Sequence, residues 1–309
     1  MYNTITKKIK RTLRYCVHDR EQLLNSLLSN FFTWIPDKLY LQLMFRFSMG
    51  YWPDFKKPKT FNEKLNWLKL YNRKPEYTQM VDKFAVKDYV ANKIGAEYVI
   101  PTLGVWDKPE NIDWDILPSQ FVLKTTHGGG NSGVVICRNR ESFNRLSAVK
   151  KLNMSLKQDI YKKLKEWPYK NVPRRIIAEK VIENENSPGD LPDYKFFCFD
   201  GYVHSVMLCL DRHLGDTKFY FFDKDWNLLR LNIRGKEAPK DFTLPKPQNI
   251  EKMFEIASIL SKGHKFLRVD LYNSDGKIYF GELTFFPDSG FDANITKEAD
   301  NIFGSLLKL

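Results

Sequence analysis

Cysteine is scarce in this 309-residue chain: Cys16, Cys137, Cys198 and Cys209 are the four present, too widely spaced for a Cys-x-x-Cys pair. The five histidines make neither His-x-x-x-His nor His-Glu-x-x-His. Both absences argue against a structural zinc site, and scattered thiols fit a reducing compartment. Long apolar runs are missing as well. The least charged long stretch, Gln22 to Pro36, has 15 residues and includes Gln, Asn, Ser and Thr, whereas a membrane-spanning helix takes about 20 mainly apolar residues. The start of the chain is polar and lacks the apolar core of a signal peptide, so a cytoplasmic location is expected. Acidic charge is in the minority, 37 Asp and Glu against 49 Lys and Arg. The net charge of +12 favours an anionic partner, whether nucleotide, nucleic acid, acidic glycan or lipid headgroup. What the chain does have, 43% hydrophobic and 15% aromatic residues, supplies a real core and excludes disorder or a small disulfide scaffold. At ~150 residues per domain, the length predicts two domains.

Lys7, Lys8, Lys10, Arg11 and Arg14 precede the first acid, Asp19, with Ile5, Ile9 and Leu13 at helical spacing. This segment reads first as a solvated helix packed by its apolar stripe, and second as a basic amphipathic helix on an anionic membrane. Thr60-Phe61-Asn62-Glu63 is a capping box followed by Leu65, Leu68 and Tyr71 on one face, which starts a helix at Thr60. A further helix is expected from Glu76 to about Asn92, with Val81, Phe84 and Tyr89 inward. After Pro101 the pattern turns to short runs of Val, Ile, Phe and Tyr between Gly, Asp and Pro turns. Strands are expected near 121–125, 133–138, 175–182, 194–199, 202–210, 217–222, 266–272 and 277–285, and helices near 142–166 and 248–262. Strands in hairpin-like pairs predict an α+β fold with antiparallel sheets.

Three constellations carry candidate chemistry. In the first, Phe121-Val122-Leu123-Lys124 leads through Thr125-Thr126-His127 into Gly128-Gly129-Gly130-Asn131-Ser132-Gly133 and then Val134-Val135-Ile136. A loop this rich in glycine lets backbone N–H groups approach an anion without Cβ obstruction. A dinucleotide fingerprint would run into a helix, but β-branched residues follow here, so strand–loop–strand is expected. Kinases carry a glycine-rich hairpin too, yet no His-Arg-Asp or Asp-Phe-Gly follows. Lys124 ends the first strand, placed to reach phosphates beneath the loop.

The second constellation is the hairpin from Phe266 to Phe286. A three-residue loop, Ser274-Asp275-Gly276, would pair Asn273 with Lys277 and make Glu282 a diagonal neighbour of Asp270. Arg268, Asp270, Glu282 and Thr284 then share one face, with Leu267, Val269, Leu271, Leu283 and Phe285 on the other. Two carboxylates side by side repel unless a cation or an Arg lies between them, and Mg²⁺ with oxygen ligands is the natural solution. A two-residue loop would put the carboxylates on opposite faces. The third constellation, Arg174-Arg175-Ile176-Ile177-Ala178-Glu179-Lys180-Val181-Ile182-Glu183, is by itself a strand with a charged end. Lys195 in Asp193-Tyr194-Lys195-Phe196-Phe197 either meets a phosphate or sits on a wet strand face.

In this order the motifs resemble the ATP-grasp fold, and more closely the TupA-like ATP-grasp family of bacterial surface-polysaccharide biosynthesis, whose members are commonly labelled glycosyltransferases. The residues that carry the resemblance are Pro58-Lys59-Thr60-Phe61-Asn62-Glu63-Lys64-Leu65, Asp82-Lys83-Phe84, Leu117-Pro118 with Phe121 to Lys124, Asp193 to Phe196, Arg268-Val269-Asp270 and Gly281-Glu282-Leu283-Thr284-Phe285-Phe286-Pro287. It runs from about residue 50 to 295. The resemblance implies a helical region at 1–75 and an ATP-grasp unit at 76–309, with lobes of about 76–180 and 181–309 clamping ATP. It implies Lys124 and Lys195 as phosphate contacts, Gly128, Gly129, Gly130 and Gly133 in the loop covering the phosphates, and Glu179, Lys180 and Ile182 at the adenine. Glu183 or Glu185 would meet the ribose. Asp270 and Glu282 would hold Mg²⁺, with Thr284 where many relatives have Asn, and Arg268 would face the transferring phosphoryl group.

The implied reaction activates a carboxylate as an acylphosphate that an amine then attacks. By the same resemblance the carboxylate belongs to a uronic acid of a capsule, O-antigen or teichuronic-type glycan. The rival enzyme is a metal-dependent glycosyltransferase using Asp223-Lys224-Asp225, a triplet that also suits a hairpin turn. A basic module for nucleic acid or lipid leaves the glycine loop and the Asp270/Glu282 pair without a purpose, and no nucleic-acid partner is expected.

Overall fold

A computed structural model describes residues 23–130, 133–183, 191–211 and 217–309. The basic cluster at 1–14, Asn131 and Ser132 of the glycine loop, and Glu185 lie outside the described residues. Among the described residues ten strands form two sheets in which every neighbouring pair is antiparallel. The smaller contains β1 (Thr102–Trp106), β2 (Phe121–Thr125), β3 (Val134–Cys137) and β4 (Ile176–Glu179), in the order β1-β4-β2-β3. The larger contains β5 (Asp193–Phe199), β6 (Tyr202–Leu210), β7 (Lys218–Phe222), β8 (Leu228–Leu229), β9 (Leu267–Ser274) and β10 (Lys277–Thr284), in the order β10-β9-β5-β6-β7-β8. The α+β architecture is the one expected. β1 and β8 went unanticipated: Gly104 interrupts the first run, where the Trp106 ring fills the space a Cβ would take, and the second is two residues long.

Each sheet buries one face against helices. In the larger one, Leu267, Val269, Leu271 and Leu283 join Met253, Phe254, Ile256 and Leu260 of the helix Ile250–Ser261 in one core. Leu123, Ile176 and Ala178 of the smaller sheet pack with Leu152 of the helix Arg145–Leu156. Among the described residues no helix is long and apolar enough to cross a membrane.

Helix starts follow local chemistry, while helix ends and partners do not. Thr60 Oγ1 accepts from Glu63 N at 3.3 Å and Glu63 Oε2 accepts from Thr60 N at 3.2 Å, completing the expected capping box. The helix expected over 76–92 is two, Glu76–Val81 and Val86–Ile94, because the Asp82 carboxylate takes the N–H groups of Phe84 and Ala85. The one expected over 142–166 also breaks, and Asp159 caps the second piece, Ile160–Leu164.

The division drawn at residue 75 crosses a single core. The helix Phe61–Tyr71 lies against the C-terminal helix Lys297–Leu306, with Phe61 against Phe266 (4.8 Å between ring centres) and Phe303 (5.4 Å). Gly304 permits this approach, since a Cβ there would stand 2.3 Å from the Lys59 carbonyl oxygen. Tyr77, Met80, Val86 and Val90, assigned from the sequence to the first lobe, pack in this core as well.

The hairpin of β9 and β10 departs from expectation twice, and the two departures cancel. Its loop has two residues, Asp275 (φ 49°) and Gly276 (φ 88°), with Lys277 opposite Ser274. Two positive φ values in a row match the right-handed twist of the flanking strands. Left alone, this register would set Asp270 opposite Gly281 and turn Glu282 to the other face. A β-bulge between Phe280 and Glu282 inserts Gly281 as an extra residue and pairs Glu282 directly with Asp270. A Cβ on Gly281 would lie 3.0 Å from the Asp270 carbonyl oxygen and 3.1 Å from the Tyr272 ring. Gly281→Val is therefore expected to cost about 2 kcal/mol through overpacking. Thermal unfolding checks this, and an unchanged melting temperature would mean that the bulge tolerates a side chain.

Candidate active site

The two sheets face each other across a cleft of about 1200 Å³. Val122, Lys124, Val134 and Ile136 line it from the smaller sheet, and Asp193, Lys195, Met207, Arg268, Asp270, Glu282 and Thr284 from the larger. Lys180, Val181 and Ile182 cross between them along one side.

On the larger sheet the cross-strand pairs Glu282–Asp270 and Asp270–Lys195 set three charged side chains in a row over β10, β9 and β5. Arg268, two residues from Asp270 and so on the same face, closes the network. Its Nε and Nη2 donate to the two Asp270 carboxylate oxygens at 2.7 Å each, and Nη2 also reaches Glu282 Oε1 at 3.2 Å and Thr284 Oγ1 at 3.1 Å. Lys195 Nζ lies 2.5 Å from Asp270 Oδ2 and 2.6 Å from Asp193 Oδ2. Burial pushes the Asp270 carboxyl up, but the Arg268 and Lys195 charges outweigh it and hold the group below its ordinary range. Burial likewise disfavours the charge on Lys195, and Asp270 and Asp193 reverse that effect and raise its pKa.

A second network lies across the cleft. Glu179, at the end of β4 and 5% exposed, bridges Lys124 (2.5 Å) and Lys87 (2.6 Å). Burial raises the Glu179 carboxyl, the two ammonium groups lower it, and the net direction is down. Lys83 Nζ donates to the Gly128 carbonyl at 2.5 Å and stands 3.9 Å from Glu282 Oε2, so it links the glycine loop to the larger sheet. Burial lowers its pKa, and Glu282 works against that shift.

The glycines of the loop divide by role. Gly129 and Gly130 line the cleft, and Gly130 has φ 56° with open space where a Cβ would be. Gly128 and Gly133 instead pack on Thr125 and Ser155, whose hydroxyls are 2.8 Å apart; a Cβ on either glycine would come within 2.4 Å of Thr125 Oγ1. Lys180 and Ile182 line the cleft, whereas Glu183 pairs with Arg138 and is not among its lining residues. Asp223 and Asp225 stand apart from the cleft lining: both Asp223 carboxylate oxygens cap Asn227, in the turn between β7 and β8.

Roles for Lys83, Lys87, Asp193 and the buried pair Lys69–Glu166 were not legible in the sequence. Lys83 and Asp193 stand inside quoted motifs, a usable signal. Lys69 and Glu166 gave none. Lys69 Nζ donates to the carbonyls of Leu164 (3.0 Å) and Ser289 (2.6 Å), and Glu166, on the cleft wall, accepts from Ser289 Oγ at 2.6 Å.

The donor set fits a magnesium nucleotide. Glu282, 38% exposed in its side chain and only loosely held by Arg268, offers a hard oxygen ligand beside Asp270. Asp270 would contribute an oxygen as Arg268 and Lys195 turn toward phosphate oxygens. Among the described residues no group of three or more His, Cys, Asp or Glu converges as a metal site.

A profile of the TupA-like ATPgrasp family matches residues 63–308. Three solved structures resemble the chain. D-alanine–D-alanine ligase from Bacillus anthracis, complexed with ATP, is 14% identical with a TM-score of 0.39, over 67% of this chain and 54% of that one. The enzyme of the same name from Helicobacter pylori is 11% identical with a TM-score of 0.44, over 81% and 69%. L-amino acid ligase from Bacillus licheniformis is 13% identical with a TM-score of 0.44, over 83% and 57%. The chain thus spans about half to two thirds of the length of these structures. No curated protein matches the sequence.

Proposed function

The chain belongs to the TupA-like ATP-grasp family, and from that premise we propose that it is an ATP-dependent ligase joining a carboxylate to an amine through an acylphosphate. The observation that carries the reading is the bulge at Gly281, which brings Asp270 and Glu282 together beside Arg268, facing Lys83, Lys124 and the glycine loop across one cleft. The adenine lies along Glu179, Lys180 and Ile182, and the ribose contact falls to Glu183 or Glu185, of which Glu183 would have to leave Arg138. Lys124, Lys195 and Lys83 hold the phosphates under Gly129 and Gly130, while Gly128 and Gly133 shape the loop from behind. Asp270 and Glu282, assisted by Thr284, hold Mg²⁺, which when bound offsets phosphate charge.

An acceptor carboxylate oxygen attacks the γ-phosphorus and ADP leaves. Arg268 and Lys195 stabilise the charge that develops on the transferring group. The amine nitrogen then attacks the acyl carbon, phosphate departs and an amide forms. No side-chain nucleophile is needed, because binding and orientation supply most of the rate. Following the family resemblance, the acceptor is a uronic acid or similar carboxylate of a bacterial surface polysaccharide.

Mg-ATP is expected to raise the melting temperature, with about 2.7 kcal/mol of stabilisation at a hundred times the dissociation constant. Phosphate release across a panel of uronic acids and amines would then identify the substrates. If a UDP-sugar with manganese stabilises the protein and Mg-ATP does not, the ligase reading fails in favour of a glycosyltransferase.

A further inference from the structure

The first described helix, residues 23–31, turns its apolar side the wrong way for a soluble packing element. Leu23, Leu27 and Phe31 recur every four residues on one stripe, and all three are exposed. The stripe continues into Phe32 and Trp34, and exposure reaches 68% at Phe31 and 76% at Trp34. Large side chains in this number are costly to leave in water, at about 25 cal/mol per Å² of apolar surface. Leu28, about 100° around the helix from Leu27, is buried against Tyr40 and Met44, so the orientation of the helix is fixed by its own small core.

Charge decides what covers this face. Lys38 follows Trp34 by four residues and is exposed, as are Lys162, which stands 3.9 Å from Asp159, and Lys163. The short helix Ile160–Leu164 is tied to the segment: Tyr40 donates to the Lys163 carbonyl at 2.6 Å, and Lys165 Nζ to the Thr33 carbonyl at 2.8 Å. The nearby carboxylates are already engaged, Asp37 by Arg73 (2.7 Å) and Lys165 (3.3 Å), Asp159 by Arg174 (3.3 Å). An aromatic and aliphatic strip followed by an exposed lysine and tied to a lysine-bearing helix, with Asp37 and Asp159 neutralised, matches the lipid–water boundary of a negatively charged bilayer.

We propose that residues 23–34, together with these lysines, dock the protein peripherally on an anionic lipid bilayer. Asn25, Ser26 and Ser29, on the other side of the same helix, line the cleft, so docking through the stripe leaves the cleft uncovered. The proposal is independent of which reaction the cleft performs.

Sedimentation of the full chain with vesicles tests it. Phosphatidylglycerol vesicles are expected to bind the protein, phosphatidylcholine vesicles to bind it far less, and salt to weaken the binding. Phe31→Ser with Trp34→Ser should reduce binding at least tenfold while circular dichroism and melting temperature stay unchanged, because both side chains are exposed. Lys162→Glu with Lys163→Glu should reduce binding to phosphatidylglycerol alone. The proposal is overturned if the native chain ignores phosphatidylglycerol, or if the aromatic double variant binds as the native chain does. It is equally overturned if that variant instead converts a dimer to a monomer in solution, which would make the strip a self-association surface.

Discussion

Replacing Asp270 with asparagine is expected to abolish ATP turnover and also to destabilise the ligand-free protein by about 3–5 kcal/mol, the range for removing one partner from a buried ion network. From the sequence alone Asp270 is a metal ligand whose loss spares the fold. The structure adds a second duty. Asp270 is 2% exposed and takes both forks of Arg268 as well as Lys195. Without it Arg268 is left with Glu282 at 3.2 Å and Lys195 with Asp193 at 2.6 Å. Urea denaturation of the ligand-free variant gives the stability and phosphate release gives the activity. A variant as stable as the native protein would mean that the network carries no structural weight.

The second large effect is expected at Glu179→Gln. This carboxylate is the shared counter-ion of Lys87 and Lys124, and Lys87 is itself 9% exposed. Loss of the negative charge leaves two ammonium groups facing each other in a poorly solvated wall, at a cost of about 3 kcal/mol. ATP affinity should fall as well, since the cleft-lining stretch Lys180 to Ile182 that follows Glu179 loses its anchor. Native stability carries the same signature in acid. The folded Glu179 carboxyl titrates below its ordinary value of 4.5, so the unfolded chain takes up its proton first as the pH drops. The contribution is complete above that value and is lost as pH falls through the lower, folded one. Unfolding free energies of native and Glu179→Gln protein should therefore converge in acid; a gap that persists at low pH would contradict the pairing.

The capping box at Thr60, the glycine-loop hairpin and the two-faced strands of the final hairpin were legible because each depends on neighbours a few residues apart. The same local signals misled where a polar side chain could end a helix: Asp82 and Asp159 divide runs whose apolar spacing is continuous. Which segments share a core was not legible for a different reason. The helix Phe61–Tyr71 has an amphipathic face that fits any apolar partner, and its partners are the C-terminal helix and the Phe197–Phe303 stack near the far end of the chain.

The candidate site divides in the same way. By itself the sequence determined the kinds of groups and the faces they occupy: Arg268 with Asp270, Glu282 with Thr284, and Lys124 at the lip of a glycine loop, all through the two-residue period of a strand. Only the tertiary structure decided which carboxylates meet. A two-residue turn alone would have separated Asp270 from Glu282, and the bulge at Gly281 reunites them because its missing Cβ lets the backbone close on the Asp270 carbonyl. It also decided that Lys83, Lys87 and Lys124 share Glu282, Glu179 and the loop carbonyl across the cleft. Side-chain periodicity is a property of consecutive residues, whereas strand register and ion pairing are set by the close approach of segments remote in the chain.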